Sequence, residues 1–381
     1  MNENKLNNSD RPFMAQALKL AACGLYTTYP NPAVGCVFVR NGKIIGQGYH
    51  HKAGQPHAEI MALKDANYDV KGATCYVTLE PCSHYGRTPP CAKTLANAGI
   101  ARCVIATGDP NPKVSGRGIA ILKEAGIKVT LSVLEDKARF LNRAFMKGIT
   151  HKMPYVSLKS GMSTDAKTAL ADGQSKWITG EKSRSCVQNI RAKCDVIITG
   201  SGTVIADNPS LSVRYNELPK KARKVLSLED VRQPLKVILD SKERLVCSSF
   251  KLFSEGLNLW VTASKDGCLH EEIINEHITR LYVPLDETDH VSIKKVLEYL
   301  GEKSYRHVLV EAGSILSSAF VNQNLVDDFY FFIAPKILGK SAKSALSLND
   351  PLCLDDSFKY KIKKVKKYGD DVMIHGVVKE Y

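Results

Sequence analysis

Four residues between positions 57 and 91 have the types and spacing of a hydrolytic metal site. His57 and Glu59 are separated by one residue, and Cys82 and Cys91 follow with eight residues between them. One imidazole and two thiolates are good zinc ligands, and three protein ligands leave the fourth tetrahedral position open to water. Glu59, a carboxylate that is not a ligand, can then move protons between water and a substrate. The pattern predicts zinc-dependent hydrolysis.

These residues have weaker alternative interpretations. Each one alone is more easily a helix-start histidine, a surface glutamate or a buried free cysteine. Their order favours the metal site, because both cysteines directly follow a proline, Pro81 or Pro90, at a predicted loop-to-helix junction. The partial positive charge of a helix N-terminus favours thiolate over thiol. A purely structural zinc site would need a fourth ligand, and His84 is the obvious spare one.

Other polar side chains in loops are candidates for substrate contacts. His84 lies in the long loop between the cysteines, which suits a substrate contact better than metal binding. Asn31 stands between two prolines, and Asp109 begins the Asp-Pro-Asn-Pro segment 109–112. For Asn31 and Asp109, a role as turn formers is about equally well supported.

The elements that must position these residues alternate as in a layered α/β domain. We predict a frayed tail at Met1–Asp10, with Asp10 capping a helix that has Pro12 in its first turn. Asn41-Gly42 is a hairpin signal. The remaining predicted elements are strands at 34–39, 43–48, 73–79, 101–107 and 128–134, and helices at about 57–67, after Pro90, at 116–125 and within 136–153.

A second α/β pattern begins at Pro154, so that two domains are expected, 1–150 and 151–381. The charged segment 216–232 is predicted to be an exposed loop, and the basic run 359–367 to be the solvated face of an edge strand. The other predicted elements are strands at 155–160, 195–199, 234–239, 258–262, 280–283, 307–311, 328–333 and 371–378, and helices at about 180–193, 291–300 and 314–323.

Glycine turns in the second half suggest a nucleotide site. Gly200-Ser201-Gly202 follows a predicted strand, but a dinucleotide fingerprint needs a third glycine where Ile205 stands. The turn Ala312-Gly313-Ser314 fits better, because a helix that starts after a glycine offers free amides to a phosphate. Taken alone, this turn could equally be a plain strand-to-helix connection.

The composition is that of a globular protein with a basic surface: 44% hydrophobic residues, 24% charged residues and a net charge of +14. No apolar run approaches the roughly 18 residues of a transmembrane helix, and the N-terminus lacks the apolar stretch of a secretory signal. Eleven cysteines, an odd number, fit reduced thiols, so we expect a cytoplasmic protein. The positive charge is compatible with nucleic-acid binding, but the binding of small phosphorylated substrates is sufficient to explain it.

The first half resembles the deaminase half of the bifunctional riboflavin-biosynthesis deaminase–reductases. The eight-residue gap is this family's version of a zinc-deaminase signature in which the gap is two. The resemblance implies that His57, Cys82 and Cys91 hold Zn²⁺, while Glu59 moves a proton from the bound water to a ring nitrogen and then to the leaving amine. The shared motifs are Asn31-Pro32-x-Val34-Gly35, Pro56-His57-Ala58-Glu59, Thr78-Leu79-Glu80-Pro81-Cys82-Ser83-His84, Gly86-Arg87-Thr88-Pro89-Pro90-Cys91 and Asp109-Pro110-Asn111-Pro112.

Residues 154–381 resemble the reductase half of the same family, whose fold is similar to dihydrofolate reductase. The shared motifs are Leu158-Lys159-x-Gly161-x-Ser163-x-Asp165, Ser175-Lys176-Trp177-Ile178-Thr179, Thr203-Val204-x-Ala206-Asp207-x-Pro209-x-Leu211-x-Val213-Arg214, Asp240-Ser241, Glu311-Ala312-Gly313 and Ala334-Pro335-Lys336-x-Leu338-Gly339. The chain departs from the family at Ala166, where glycine is frequent, and at Asn208, where aspartate is common.

This second resemblance implies sites for NADPH and for a phosphorylated substrate. The guanidinium fork of an arginine matches phosphate oxygens, although Arg191, on a predicted helix, could equally be a solvated charge. Lys159 is the candidate proton donor of the reduction. The implied NADPH contacts are Gly161, Trp177, Thr203, Asp207, Ser241, Gly313, Ser314, Ile315 and Leu316. The implied substrate contacts are Ser175, Arg191, Leu211, Arg214 and Glu311.

Together these features predict an α/β enzyme with a cytidine-deaminase-like layered domain followed by a dihydrofolate-reductase-like domain. It would deaminate 2,5-diamino-6-ribosylamino-4(3H)-pyrimidinone 5′-phosphate with zinc and then reduce the ribosyl chain to ribityl with NADPH. We expect a homo-oligomer that binds phosphorylated pyrimidines and neither nucleic acid nor membrane. The alternatives are a zinc-dependent nucleic-acid base deaminase with an accessory domain and a non-enzymatic zinc-stapled interaction protein. The long cysteine loop and the lack of an RNA-binding motif argue against the former.

Overall fold

The computed structural model describes residues 3–83, 90–112 and 114–381, without the side chains of residues 3–8 and 248. The chain divides into two compact units, Met1–His151 with Tyr381, and Lys152–Glu380. Both units combine a sheet with helices, so the predicted α/β class is confirmed. Within the described residues, no helix combines the length and apolar character that crossing a membrane requires.

The first unit is built on a sheet that connects a hairpin to parallel strands. Its strands are β1 (Gly35–Arg40), β2 (Lys43–Tyr49), β3 (Thr74–Val77), β4 (Arg102–Ile105) and β5 (Lys128–Thr130). Its helices are α1 (Glu3–Gly24), α2 (Ala58–Asp65), α3 (Cys91–Asn97), α4 (Arg117–Glu124), α5 (Glu135–Leu141) and α6 (Arg143–Thr150). The order is β2-β1-β3-β4-β5, in which β1 is antiparallel to both neighbours and β3, β4 and β5 are parallel. The carboxyl ends of β3 and β4 therefore lie side by side.

Side chains alternate between the two faces of this sheet, and each face carries its own core. Cys36, Cys75 and Cys103 lie on one face with apolar residues of α2 and α3, and all three are fully buried. The intervening Val37 and Val104 belong to the other core, which includes residues of α1. These three cysteines therefore act as small buried hydrophobes.

The prediction for the N-terminus was wrong. Helix α1 begins at Glu3 and runs through Pro12, so Asp10 lies inside the helix rather than at its cap. The buried Asp10 carboxylate accepts from the Tyr76 hydroxyl at 2.8 Å and from two nitrogens of Arg102 at 2.9 and 2.7 Å. These partners are distant in sequence, and the tertiary contacts outweigh the missing amide of Pro12.

The second unit is built on a long, mostly parallel sheet. Its strands are β6 (Tyr155–Ser163), β7 (Lys167–Ala169), β8 (Val196–Gly200), β9 (Leu235–Leu239), β10 (Asn258–Ala263), β11 (His270–Ile273), β12 (Ile278–Val283), β13 (His307–Val310), β14 (Asp328–Ala334), β15 (Lys343–Ser344), β16 (Lys361–Tyr368) and β17 (Asp371–Val377). Its helices are α7 (Glu181–Arg191), α8 (Ser201–Asp207), α9 (Lys220–Arg223), α10 (Ile293–Glu302) and α11 (Ser314–Asn322).

The order in the large sheet is β11-β12-β10-β9-β8-β13-β6-β14-β17-β16. The strands from β12 to β14 in this order are parallel, and β11, β17 and β16 are added antiparallel at the two ends. The carboxyl ends of β8, β13 and β6 are thus neighbours, which is where open α/β sheets bind ligands. The basic run is edge strand β16, as predicted, and it is almost wholly exposed.

Several local predictions were wrong or incomplete. Segment 216–232 is not a bare loop, because it contains α9 and buries Leu218, Ala222 and Leu226. These three residues are four apart, a helical period that the surrounding charges concealed. The turn after β8 begins α8 directly, and the predicted helix within 136–153 is interrupted at Asn142 to give α5 and α6.

Candidate active sites

A cavity of about 240 Å³ lies in the first unit, at the carboxyl ends of β3 and β4. Three of the predicted zinc-site residues line it together with both polar loop candidates that the structure describes. The lining residues are Asn31, Pro32, Val34, His50, His57, Glu59, Leu79, Glu80, Cys82, Asp109, Asn111, Val114 and Phe145. His84 lies outside the described residues, so its predicted substrate contact stays a prediction.

The predicted zinc ligands meet beside this cavity. His57 directly precedes α2, Cys82 follows β3, and Cys91 is the first residue of α3. The Nδ1 atom of His57 lies 3.5 Å from Cys82 Sγ and 3.3 Å from Cys91 Sγ, and the three ligand atoms all lie within 4.8 Å of one another. A tetrahedral zinc ion separates its sulfur and nitrogen ligands by about 3.6 Å. The donor set and its spacing therefore fit zinc.

The two thiols share a proton. The pKa of Cys82 is lowered to about 4, first by its hydrogen bond with Cys91, against the opposing effect of burial. The pKa of Cys91 is raised by the same contact and by burial. The Cys91 amide also donates to Cys82 Sγ at 3.3 Å. Zinc binds cysteine as the thiolate, so metal binding must displace the proton that the two sulfurs hold between them.

Glu59 has the environment of an acid–base group. It lies in the first turn of α2 and only 3% of it is exposed. Burial, followed by the charge of Cys82, raises the pKa of its carboxyl from 4.5 to about 7. A carboxyl with such a pKa can accept and return a proton near neutral pH.

His50, which the sequence interpretation missed, orients Asn31. The ring Nδ1 lies 3.1 Å from the Pro56 carbonyl oxygen, so Nδ1 carries the proton and donates to that oxygen. This tautomer leaves Nε2 to accept from Asn31 Nδ2 at 3.1 Å. Burial lowers the pKa of His50, which favours the neutral ring. The only sequence signal was a histidine directly after a predicted strand.

Asn142 holds the Asn31 loop from the other side. Its Oδ1 accepts from the Ala33 amide at 2.8 Å, and its Nδ2 donates to the Ala33 carbonyl at 2.9 Å. Asn142 is only 3% exposed and lies at the α5–α6 junction. Elsewhere in the cavity lining, Asp109 Oδ1 accepts from the Asn111 amide at 2.8 Å. Asp109 therefore forms a turn and also lines the cavity.

In the second unit, three predicted site residues form one ion cluster. Glu311 follows β13, and its carboxylate accepts from Arg191 Nη2 at 3.0 Å and from Lys159 Nζ at 2.9 Å. A second nitrogen of Arg191, Nε, binds the other oxygen. Burial alone would raise the pKa of Glu311, but the charges of Arg191 and Lys159 hold it well below its usual range. Arg191 is therefore not a solvated charge.

Two further predicted contacts of the reductase half, Thr203 and Gly313, follow the adjacent strands β8 and β13. Thr203 Oγ1 accepts from the Gly313 amide at 3.1 Å, which joins the turns after β8 and β13. Ser175 Oγ donates to Asp207 Oδ1 at 3.3 Å. Among the described residues no side chain caps α11, so its first turn, which contains Ile315 and Leu316, suits a phosphate.

Other predicted residues here have partners of their own. Trp177 is 65% exposed beneath the Arg184 guanidinium, which lies 4.5 Å from its ring centre. The Trp177 carbonyl accepts from Lys336 Nζ at 2.7 Å, and Ser241 Oγ accepts from the Val291 amide. Arg214 pairs with Glu217 on the surface. The buried Leu211 precedes Ser212, whose carbonyl accepts from Arg191, and Gly161 lies close to Thr179.

Both halves of the chain match family descriptions. Residues 7–107 match the cytidine and deoxycytidylate deaminase zinc-binding region. Residues 154–374, more than half of the chain, match the RibD C-terminal domain. The two matched ranges correspond to the two compact units.

Whole proteins match over nearly the full length. The riboflavin biosynthesis protein RibD of Haemophilus influenzae is 43% identical over 97% of this chain and 98% of its own length. That of Escherichia coli is 41% identical over 96% of this chain and 98% of its own. The similarity to these relatives therefore spans both units.

Solved structures agree. Acinetobacter baumannii RibD superposes with a TM-score of 0.87 at 40% identity, covering 98% of this chain and 100% of that one. A diaminohydroxyphosphoribosylaminopyrimidine deaminase/5-amino-6-(5-phosphoribosylamino)uracil reductase from Thermotoga maritima superposes with a TM-score of 0.84 at 34% identity, covering 98% and 99%. The predicted fold of both halves is confirmed.

Proposed function

Because the chain belongs to the RibD family of riboflavin biosynthesis proteins, we propose that the residues described above carry out its two reactions, one in each unit. The chain is a bifunctional enzyme, with a zinc-binding deaminase domain and an NADPH-using reductase domain. The proposed boundary between the two activities lies near residue 150. The roles of individual residues are proposals that rest on their geometry.

The deaminase site is proposed to act on the diaminopyrimidinone nucleotide that the name of the Thermotoga maritima relative indicates. His57, Cys82 and Cys91 hold the zinc ion. Zinc, when bound, acidifies water and so supplies a hydroxide nucleophile at neutral pH. Glu59 would accept one proton of the attacking water and donate it to a ring nitrogen; it would then take the second proton, from the added hydroxyl, and pass it to the amine, which leaves as ammonia. Asn31 and Asp109, which both line the cavity, contact the pyrimidine.

The reductase site is proposed to lie at the carboxyl ends of β8, β13 and β6. NADPH supplies the hydride that converts the ribosyl chain to ribityl. The turns at Thr203 and Gly313 hold its phosphates, and Asp207, Ser241, Gly161 and Trp177 complete the cofactor site. Glu311 orients Lys159, the proposed proton donor. The proposed substrate side is formed by Ser175, Arg191, Leu211 and Arg214. Arg214 is better placed than Arg191 to reach a phosphate, because the ion pair of Arg214 with Glu217 is exposed.

The observation that carries the deaminase proposal is the convergence of three ligand atoms beside the buried Glu59. Glu59→Gln is the test, because it removes the proton carrier and leaves the ligands intact. We expect a variant that keeps its zinc, loses deamination by at least about a hundredfold and still oxidises NADPH with the deaminated substrate. Loss of zinc together with activity would instead assign Glu59 a structural role.

The wider setting of the protein is also proposed. No cysteine forms a disulfide in the part of the chain that the structure describes, which supports a reducing, cytoplasmic location. We also propose a homo-oligomer, for which the exposed apolar side chains of Ile362 and Val365 on β16 are a candidate contact. Sedimentation analysis tests this assembly, and a purely monomeric enzyme would contradict it. Deamination of tRNA in preference to the free nucleotide would favour the nucleic-acid alternative.

A further inference from the structure

Glu80 lies between β3 and the zinc ligand Cys82, and the reaction described above gives it no task. The residue lines the deaminase cavity and is only 4% exposed. A buried carboxylate is costly unless its charge is compensated by donors. The nature of those donors therefore indicates what Glu80 does.

The donors are backbone amides of a single segment, 109–119, which comprises a loop and the start of α4. Glu80 Oε1 accepts from the Gly118 amide at 3.0 Å and the Ile119 amide at 3.3 Å. Its Oε2 accepts from the Gly116 amide at 3.0 Å and the Asp109 amide at 3.4 Å. Each carboxylate oxygen thus binds one pair of amides, and the two pairs come from different parts of the loop.

Glu80 also caps the helix into which this loop leads. Helix α4 begins after Gly116, whose φ of 77° is left-handed, and no side chain of its own cap accepts a hydrogen bond. The Glu80 carboxylate supplies that missing cap from a neighbouring strand end, where the helix dipole also favours negative charge. The loop is pressed closely against this strand end, because a Cβ atom on Gly118 would lie 2.0 Å from the Pro81 carbonyl oxygen.

The same loop forms one wall of the deaminase cavity through Asp109, Asn111 and Val114. The Asp109 amide binds Glu80, and its carboxylate binds the Asn111 amide at 2.8 Å. The distance between this wall and Cys82 is therefore set by a side chain two residues before Cys82. We propose that Glu80 is a positioning residue of the deaminase, which fixes the pyrimidine-contacting loop relative to the zinc site. This inference rests on the proposed function of the cavity.

The proposal predicts a specific defect in Glu80→Gln. A glutamine keeps one carbonyl oxygen and turns an NH₂ group, which is itself a donor, towards the other pair of amides. One pair, either Gly118 and Ile119 or Gly116 and Asp109, should then exchange its amide hydrogens at least about tenfold faster while the other stays protected. The KM for the free diaminopyrimidinone nucleotide should rise about tenfold, which is the equivalent of one lost hydrogen bond to a charged group. The kcat should stay within about threefold of the wild-type value, and the variant should retain one zinc per chain.

Asp10→Asn is the matched control. Asp10 is also a buried carboxylate, but it binds Tyr76 and Arg102 and does not line the cavity. We expect it to lower the melting temperature and to leave both the loop exchange and KM at wild-type values. Should Glu80→Gln not fold, Glu80→Asp, which is one methylene shorter, undergoes the same measurements with the same expectation.

The outcomes separate this inference from the proposed function. If the zinc-loaded wild type does not deaminate the nucleotide, the function assigned to the cavity is wrong. If the wild type is active but KM is unchanged in a variant whose loop amides exchange faster, Glu80 does not position the substrate. A fall in zinc content or in kcat alone would show that Glu80 acts through the metal site, which also overturns the proposal.

Discussion

At the scale of single residues, Glu311 has the most demanding position. It is 5% exposed at its side chain and neutralises two cations, Arg191 and Lys159, that are themselves largely buried. Because Glu311→Gln would leave these like charges facing a neutral amide, we expect the free energy of unfolding to fall by about 3 kcal/mol. Denaturant titration measures this loss, and NADPH-dependent reduction should fall while deamination stays unchanged.

The exposed pair of Arg214 and Glu217 provides the control. Both side chains are about half exposed, at 50% and 45%, so Glu217→Gln should cost less than about 1 kcal/mol. Equal losses in the two variants would contradict the assignment of Glu311 as the centre of a buried cluster.

The sequence predicted the zinc residues because their chemistry is local: a His-x-Glu step and two proline-flanked cysteines have few other uses. It did not predict that Glu311 binds Arg191, since the partners are 120 residues apart. Glu80 and Asn142 were missed for the same reason. As single polar residues they resemble surface positions, and only the fold shows which backbone groups they bind.

At the scale of elements, the α5–α6 junction supports the loop that carries Asn31. Asn142 pairs with both the amide and the carbonyl of Ala33, so Asn142→Ala would leave two buried backbone groups without these partners. We expect a loss of about 1–3 kcal/mol in unfolding free energy and a several-fold rise in the KM of deamination. Steady-state kinetics of both reactions measure the second effect.

Asn258→Ala is the control for this variant, because Asn258 is equally buried but lies in the second unit. It should destabilise the protein without changing the KM of deamination. A KM that shifts in both variants, or in neither, would remove the positional role from Asn142.

Strand β9 carries a buried lysine whose titration links stability to pH. Lys236 Nζ donates to the carbonyls of Leu252 and Glu255 at 3.2 and 2.6 Å, and burial lowers its pKa from 10.5 to about 8. The unfolded chain therefore holds this proton more tightly between pH 8 and 10.5, so the unfolding free energy that depends on Lys236 rises across that window. The unfolding free energy of the wild type, measured relative to that of Lys236→Met, should rise by about 2–3 kcal/mol from pH 8 to 10.5. A difference that does not vary with pH would show that Lys236 is not titrating there.

The strands and turns with a clear sequence pattern were predictable from the spacing of apolar residues and from turn-forming residues. Most parallel strands of both sheets are apolar runs, and the Asn41-Gly42 hairpin has positive φ at both residues. Helix α9 was not predicted, because charged residues separate the apolar residues in and around it. The predicted α1 was too short, because Pro12 was interpreted as part of its first turn. Tertiary burial decided both cases.

At the scale of the whole molecule, the division into two units was predictable from chain length and from the restart at Pro154. The functional identity of the second unit was not derivable from residue chemistry, because a strand, a glycine turn and a helix occur in many folds. It followed from similarity across several motifs. The separation of the two sites into different units explains why the variants above are expected to affect one reaction at a time.

The central claim is that the first unit holds one zinc ion through His57, Cys82 and Cys91. Metal analysis of the purified, reduced protein tests it most directly, with Cys91→Ser as the matched variant. We expect about one zinc per chain in the wild type, little in the variant, and loss of deamination but not of NADPH oxidation when a chelator removes the metal. A wild-type protein that deaminates its substrate without stoichiometric zinc would contradict the account.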